Sequence, residues 1–196
     1  LVGSEMCIRD SINIDFIDMG GGLGVNYIGE ETIQPFELIQ SYEKIFKGRD
    51  EILILEPGRS ISANAGIMLA RVEYKKDDFL ITDAAMNDLL RPALYDAHHD
   101  IWPVEKNDNL ASNANVVGPI CETGDFLAKD INIAASENDL LAVRTVGAYG
   151  SVMSSNYNSR PRAAEVLVDR KNFYLIRKRE DHSILTSLEE GLDDQI

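Results

Sequence analysis

Cysteine, tryptophan and histidine are scarce in this chain: 2, 1 and 3 of them occur among 196 residues. Cys7 and Cys121 lie far apart and match no metal-ligand spacing, so no metal is expected. No apolar run reaches the roughly 18 residues that a membrane span needs, so no membrane partner is expected and a reducing cytoplasm fits. Basic blocks are missing too. The formal charge of -14 comes from Asp and Glu spread along the whole length, which argues against nucleic acid as a partner. The chain does not begin with Met, and Leu1 to Ser11 lacks a basic region followed by an apolar stretch, so a signal peptide is not expected. Residues 1–11 read as a non-native leader in which Cys7 has no role, with the true sequence starting near Ile12. What remains is apolar enough, at 44%, to build the core of a globular protein.

The most informative local feature is Gly20-Gly21-Gly22-Leu23-Gly24, directly after the apolar run Ile12 to Met19. A strand ending in glycines can bring backbone N–H groups close to an anion, because no Cβ blocks the approach and positive φ is cheap. A helix is expected over Thr32 to Lys47, with Pro35 early and Phe36, Ile39, Tyr42, Ile45 and Phe46 as its apolar stripe. Glu51 to Leu55 then reads as a second short apolar strand, completing a βαβ unit whose Glu56-Pro57-Gly58-Arg59 turn sits where a strand end opens toward a ligand. Beyond residue 62 the pattern changes. Short strands are expected at 66–74, 79–83, 101–104, 115–117, 140–146, 165–169 and 172–177, with one short helix over Met86 to Leu94; without long helical periods these make an antiparallel β-domain over 62–196.

Several side chains in this frame carry candidate chemistry, and each has a plainer alternative. The glycine run is a phosphate loop or a tight turn, since it does not form a G-x-G-x-x-G pattern opening a helix: Val25-Asn26-Tyr27-Ile28 reads as loop. Arg59, at a strand end beside Gly58, can clamp a phosphate or carboxylate; otherwise it is a surface ion pair. Arg91 and Tyr95 stand four apart on the expected short helix and share a face, offering a planar fork and a hydroxyl to an acidic group, or else a surface Arg and a packed Tyr. His98 and His99 are adjacent and cannot chelate together, so one is expected to be a hydrogen-bonding structural histidine. Cys121, among Pro119, Gly124 and two acids, suits a proton donor better than a core position, with Glu122 able to accept from an ammonium group. Tyr149, between small residues, reaches a ligand or packs in the core.

Taken in order, Gly20 to Gly24, Glu56 to Arg59, Arg91-Pro92-Ala93-Leu94-Tyr95, Cys121-Glu122-Thr123-Gly124-Asp125 and Gly147-Ala148-Tyr149 resemble the diaminopimelate decarboxylases. These are fold-type III pyridoxal-phosphate enzymes, akin to the ornithine and arginine decarboxylases and to alanine racemase. The resemblance covers residues from Ile12 to the end. It implies that Gly20, Gly21, Gly22, Gly24, Glu56, Pro57, Gly58, Arg59 and Tyr149 bind pyridoxal 5'-phosphate. Substrate would be held by Arg59, Arg91, Tyr95, Glu122 and Tyr149. Cys121 would be the catalytic proton donor, reaching the active site of the other subunit of a homodimer. The implied reaction converts meso-2,6-diaminopimelate to L-lysine and carbon dioxide.

The same resemblance implies a chain about twice as long, beginning with most of a (β/α)₈ barrel that carries the Schiff-base lysine. Lys44, Lys47, Lys75 and Lys76 fall on a helix or in a polar turn, where solvated lysines are the rule. Residues 12–61 are thus expected to be the last strands of that barrel, and the chain by itself is expected to be inactive and prone to aggregate through the open sheet edges of that remnant. The alternatives are a decarboxylase for ornithine, arginine or carboxynorspermidine, and a non-catalytic homologue. A substrate without a distal carboxylate would leave a buried Arg91 unsatisfied, which favours diaminopimelate.

Overall fold

A computed structural model describes residues 13–105 and 110–191; the expected leader and Cys7 lie outside them. The apolar run before the glycines forms β1 (Phe16–Asp18), and the run before Glu56 forms β2 (Ile52–Ile54). They pair in parallel, Phe16 opposite Ile52 and Asp18 opposite Ile54. Between them lies α1 (Pro35–Phe46), which starts where Pro35 costs no hydrogen bond and where Glu37 accepts from the Gln34 N–H at 3.0 Å. This is the expected βαβ unit. Apart from Ile17, its large apolar side chains are left largely uncovered among the described residues: Phe16 and Phe36 are 58% and 66% exposed, and α1 has no buried residue.

The chain then passes through α2 (Gly58–Ser62) and a 3-10 turn, Ala63–Ala65, into β3 (Met68–Lys76). β3 joins β4 (Phe79–Thr82), β5 (Ile101–Pro103), β6 (Ser112–Val117), β7 (Phe126–Ile133) and β8 (Leu140–Val143) in a six-stranded sheet of order β5-β8-β3-β4-β6-β7. The sheet curls until its edge strands β5 and β7 approach one another, nearly closing a barrel. Its pairs are antiparallel except β4 with β6, which run parallel. Val72, Leu80, Val116, Leu127, Leu141 and Val143 fill the interior, each at most 1% exposed. Each such side chain, taken out of water, contributes roughly 1.5–3 kcal/mol.

Two elements differ from the sequence expectation. The helix expected over 86–94 is instead a turn at Ala85–Leu89 followed by the five-residue α3 (Arg91–Tyr95). Pro92 lacks an N–H and so starts a helix rather than continuing one. β7 was not expected, because Asp130 takes a left-handed φ of 53° and the register shifts along the β6–β7 pair, which spoils strict alternation. After β8, two 3-10 turns (Ser151–Met153 and Tyr157–Ser159) lead to the hairpin β9 (Glu165–Asp169) and β10 (Asn172–Arg177), then to α4 (His182–Leu185). No helix among the described residues is long and apolar enough to cross a membrane.

Candidate active site

The two loops at the strand ends are zipped to each other. The Glu56 N–H donates to Gly20 O at 2.8 Å, and the Gly20 N–H donates to Asp18 Oδ1 at 2.7 Å. A Cβ on Gly21 would lie 2.3 Å from Glu56 O, so glycine is required there for the loops to meet. Gly20 and Gly22 have φ of 69° and 84°, the left-handed region that glycine enters freely. Among the described residues, no acceptor takes the N–H groups of Gly21, Gly22 or Gly24. Open space lies at the Cβ positions of Gly20 and Gly22. The result is a set of free backbone donors on an open surface, the form an anion cradle takes.

Arg59, on α2, and Tyr149 meet across this face: the guanidinium lies 5.5 Å from the ring centroid. Three glycines hold the Tyr149 segment in place. A Cβ on Gly147 would lie 2.0 Å from Ser62 O and one on Gly66 2.7 Å from the Gly147 Cα, while Gly150 packs on Val146 O. The Gly147 N–H donates to Ala63 O at 3.0 Å, and Ala148 packs with Val25 and Ala63. Thus Gly-Ala-Tyr-Gly is a docking segment that brings the ring of Tyr149, a residue at φ 62°, to Arg59.

Arg91 is the most unusual charge in the molecule. It is 7% exposed, and no carboxylate lies within ion-pair distance among the described residues. Its Nη1 donates to His99 Nε2 at 2.9 Å, and its guanidinium sits 4.9 Å over the ring of Tyr27. His99, 1% exposed, is the structural histidine expected from the His98-His99 pair, and its Nδ1–H donates to Arg144 O at 2.9 Å. Burial, with the neighbouring Arg91 charge adding to it, holds the His99 pKa below its ordinary value. Tyr95, at the other end of α3, is 63% exposed, and its hydroxyl makes no hydrogen bond to Arg91 among the described residues.

Cys121 is an exposed free thiol on the loop between β6 and β7. That loop is shaped by Asp125, 3% exposed, whose carboxylate accepts from the Ile120 N–H at 2.8 Å and the Met86 N–H at 2.7 Å. Gly118 is pressed between Asp125 and Ala85 with no room for a Cβ. Beside the thiol, Glu122 accepts from the Tyr157 hydroxyl at 3.2 Å, which raises the pKa of that phenol. Arg160 fastens the Tyr157 segment to the turn before α3 by donating to Asn87 Oδ1 at 2.9 Å and pairing with Asp88 at 3.5 Å.

The structure therefore brings the glycine loop to Glu56, Arg59 to Tyr149, and Arg91 to His99 and Tyr27, but among the described residues no hydrogen bond, ion pair or ring contact joins Cys121 or Glu122 to Arg59 or Tyr149. Sequence reasoning gave no role to Tyr27, Asp125 or Tyr157. Asp125 carried a signal as the acid that closes a Gly-Pro-started loop; Tyr157 carried none. Among the described residues no group of three His, Cys, Asp or Glu side chains is placed to hold a metal.

Known proteins are similar to this chain in sequence and in fold. A diaminopimelate decarboxylase of Pseudomonas aeruginosa is 56% identical over 173 residues, which is 86% of this chain and 42% of that protein. A solved structure from Aquifex aeolicus superposes with a TM-score of 0.91 at 44% identity, over 96% of this chain and 49% of that one. The Helicobacter pylori diaminopimelate decarboxylase complexed with L-lysine gives 0.88 at 40% identity, over 98% and 48%. The chain thus spans about half the length of the relatives it matches. The family model for the pyridoxal-dependent decarboxylase C-terminal sheet domain matches residues 8–147, well over half of the sequence, and the chain belongs to that family.

Proposed function

We propose that this chain is the C-terminal portion of an enzyme that decarboxylates meso-2,6-diaminopimelate to L-lysine and carbon dioxide, with pyridoxal 5'-phosphate as cofactor. The observation that carries this reading is Arg91, a buried guanidinium with a histidine and a tyrosine around it and no carboxylate partner among the described residues. A buried cation left unpaired is costly, and a site that keeps one is complementary to an anion. Diaminopimelate retains a second carboxylate at the end that does not react; ornithine and arginine have none there. Charge thus separates the preferred substrate from the diamine-forming alternatives.

The residues present fit the cofactor. Its phosphate would take the free N–H groups of Gly21, Gly22 and Gly24, on a loop buttressed by Gly20 and by Glu56, Pro57 and Gly58, with Arg59 adding charge. Tyr149 would wall the cofactor and touch the substrate. When bound, the cofactor supplies an electron-accepting ring for the pair left behind as carbon dioxide departs. Arg91, with Arg59 and Tyr95 beside it in this reading, fixes the distal carboxylate, and Glu122 holds the distal ammonium group. Cys121 Sγ then gives a proton to the carbon that lost its carboxyl group. Because Cys121 and Glu122 make no hydrogen bond, ion pair or ring contact with Arg59 or Tyr149 among the described residues, they would serve the site of a second subunit in a homodimer.

The test is an assay of the full-length protein loaded with cofactor. Lysine and carbon dioxide should form from meso-diaminopimelate, and Cys121→Ala should slow turnover far more than it weakens cofactor binding. Absence of lysine formation overturns the reading; equal loss of turnover and cofactor affinity removes Cys121 from proton transfer.

A further inference from the structure

We propose that His99 is a positioning residue: as a neutral imidazole protonated at Nδ1, it aims the Arg91 guanidinium so that the remaining guanidinium N–H groups stay available to a substrate carboxylate. This inference rests on the reading of Arg91 as a carboxylate site and goes one layer behind it.

The geometry assigns the tautomer. His99 Nδ1 faces the Arg144 carbonyl at 2.9 Å, an acceptor that can be satisfied only by an N–H. Nε2 faces Arg91 Nη1, also at 2.9 Å, and Arg offers only donors, so Nε2 must carry the lone pair. A second proton on the ring would put two cations in contact in a buried place. Burial, Arg91 and His98 all favour the neutral ring, and the Arg144 carbonyl alone works against them.

Tyr27 completes the mount. Its ring meets His99 edge-on at 5.2 Å between centroids and lies 4.9 Å under the Arg91 guanidinium, so the planar fork is held on one face and at one nitrogen. An aspartate in place of His99 would orient the fork equally well but would neutralise it. A neutral acceptor fixes the direction of the charge without consuming it, and that distinction is why a histidine suits the position. The Tyr27 hydroxyl, buried and without a partner among the described residues, adds a polar atom to the same neighbourhood.

The experiment uses the full-length holoenzyme and two competitive ligands, L-lysine, which keeps one carboxylate, and cadaverine, the same diamine without it. His99→Leu should weaken lysine about tenfold, the size expected for one misdirected charge-assisted hydrogen bond. Cadaverine should change less than about twofold, since a mere packing defect would move both ligands alike. His99→Gln, whose amide can accept from Arg91 and donate to Arg144, should recover most of the lysine affinity. Equal loss for both ligands, or no loss for either, overturns the positioning role.

Arg91→Leu separates this inference from the reading beneath it. If Arg91→Leu loses lysine and His99→Leu does not, only the positioning role fails; if Arg91→Leu leaves lysine binding intact, the carboxylate assignment fails and the inference with it. Should His99→Leu not fold, ¹⁵N NMR of the wild-type ring decides. Protonation at Nδ1 alone through neutral pH is expected, with a midpoint that rises in Arg91→Leu; protonation at Nε2 or an ordinary midpoint overturns the proposal.

Discussion

The six-stranded sheet and the β1–α1–β2 unit are built from equally apolar sequence, yet they bury it very differently. Leu80, Leu127 and Leu141 are at most 1% exposed within the sheet, whereas Phe36, Ile39 and Ile45 on α1 are 66%, 44% and 49% exposed. The sheet supplies its own partner surface by curling. The βαβ unit does not: a parallel pair with one helix has an apolar face on each side, and among the described residues little beyond Ile17 of the pair is covered. One core is self-contained, while the other leaves its apolar faces open among the described residues; the chain spans about half the length of the relatives it matches. The free glycine-loop donors sit on the open side, and the Cys121 loop hangs from the self-contained one.

The largest effect that bears on this contrast is in the sheet. Leu141→Ala should cost the full-length enzyme about 2–5 kcal/mol, read from the denaturant midpoint. In the isolated chain, hydrogen exchange should protect the β3 and β8 amides far more than those of α1, and equal protection would erase the contrast. A smaller effect is expected at the loop. Asp125→Ala leaves the Ile120 and Met86 N–H groups without their acceptor, at about 1–3 kcal/mol. The rate of Cys121 alkylation in a Cys7→Ser background should change with it; an unchanged rate would show that Asp125 does not shape the thiol loop.

The smallest effect concerns the β9–β10 hairpin. Glu180 accepts from the Arg162 N–H at 2.9 Å and from Asn156 Nδ2 at 2.7 Å, and these bonds with the Arg162 guanidinium hold its pKa at about 2 against the ordinary 4.5. Because the folded-state value is depressed, the stabilisation is complete above about pH 4.5 and is lost as the pH falls toward 2. Glu180→Gln should therefore loosen the hairpin at neutral pH and converge with the wild type in acid. A constant difference across that window would assign the effect to packing.

Much of the fold was legible because its signals are local. Alternation marked β3, β4, β9 and β10, Pro35 marked the start of α1, and glycines marked the loops. Pro92 set the start of α3, but the turn ahead of it is held by Asp88 and by Asp125, the latter 39 residues away, which no window of sequence displays. The site was legible as motifs rather than as contacts. Arg59 and Tyr149 are 90 positions apart, and their meeting depends on Gly66 and Gly147 touching backbone to backbone. The role of Tyr27 was hidden for the same reason: its partners, Arg91 on α3 and His99 just before β5, are more than 60 positions away in the chain.

Substrate choice turns on whether a buried, carboxylate-free Arg91 selects a molecule with a distal carboxylate. It is measured as kcat/KM for meso-diaminopimelate and for ornithine in the full-length enzyme and its Arg91→Leu variant. Arg91→Leu is expected to lose about a hundredfold on diaminopimelate, the scale of a broken desolvated charge pair, and to change little on ornithine. Equal losses on both substrates would contradict the selection.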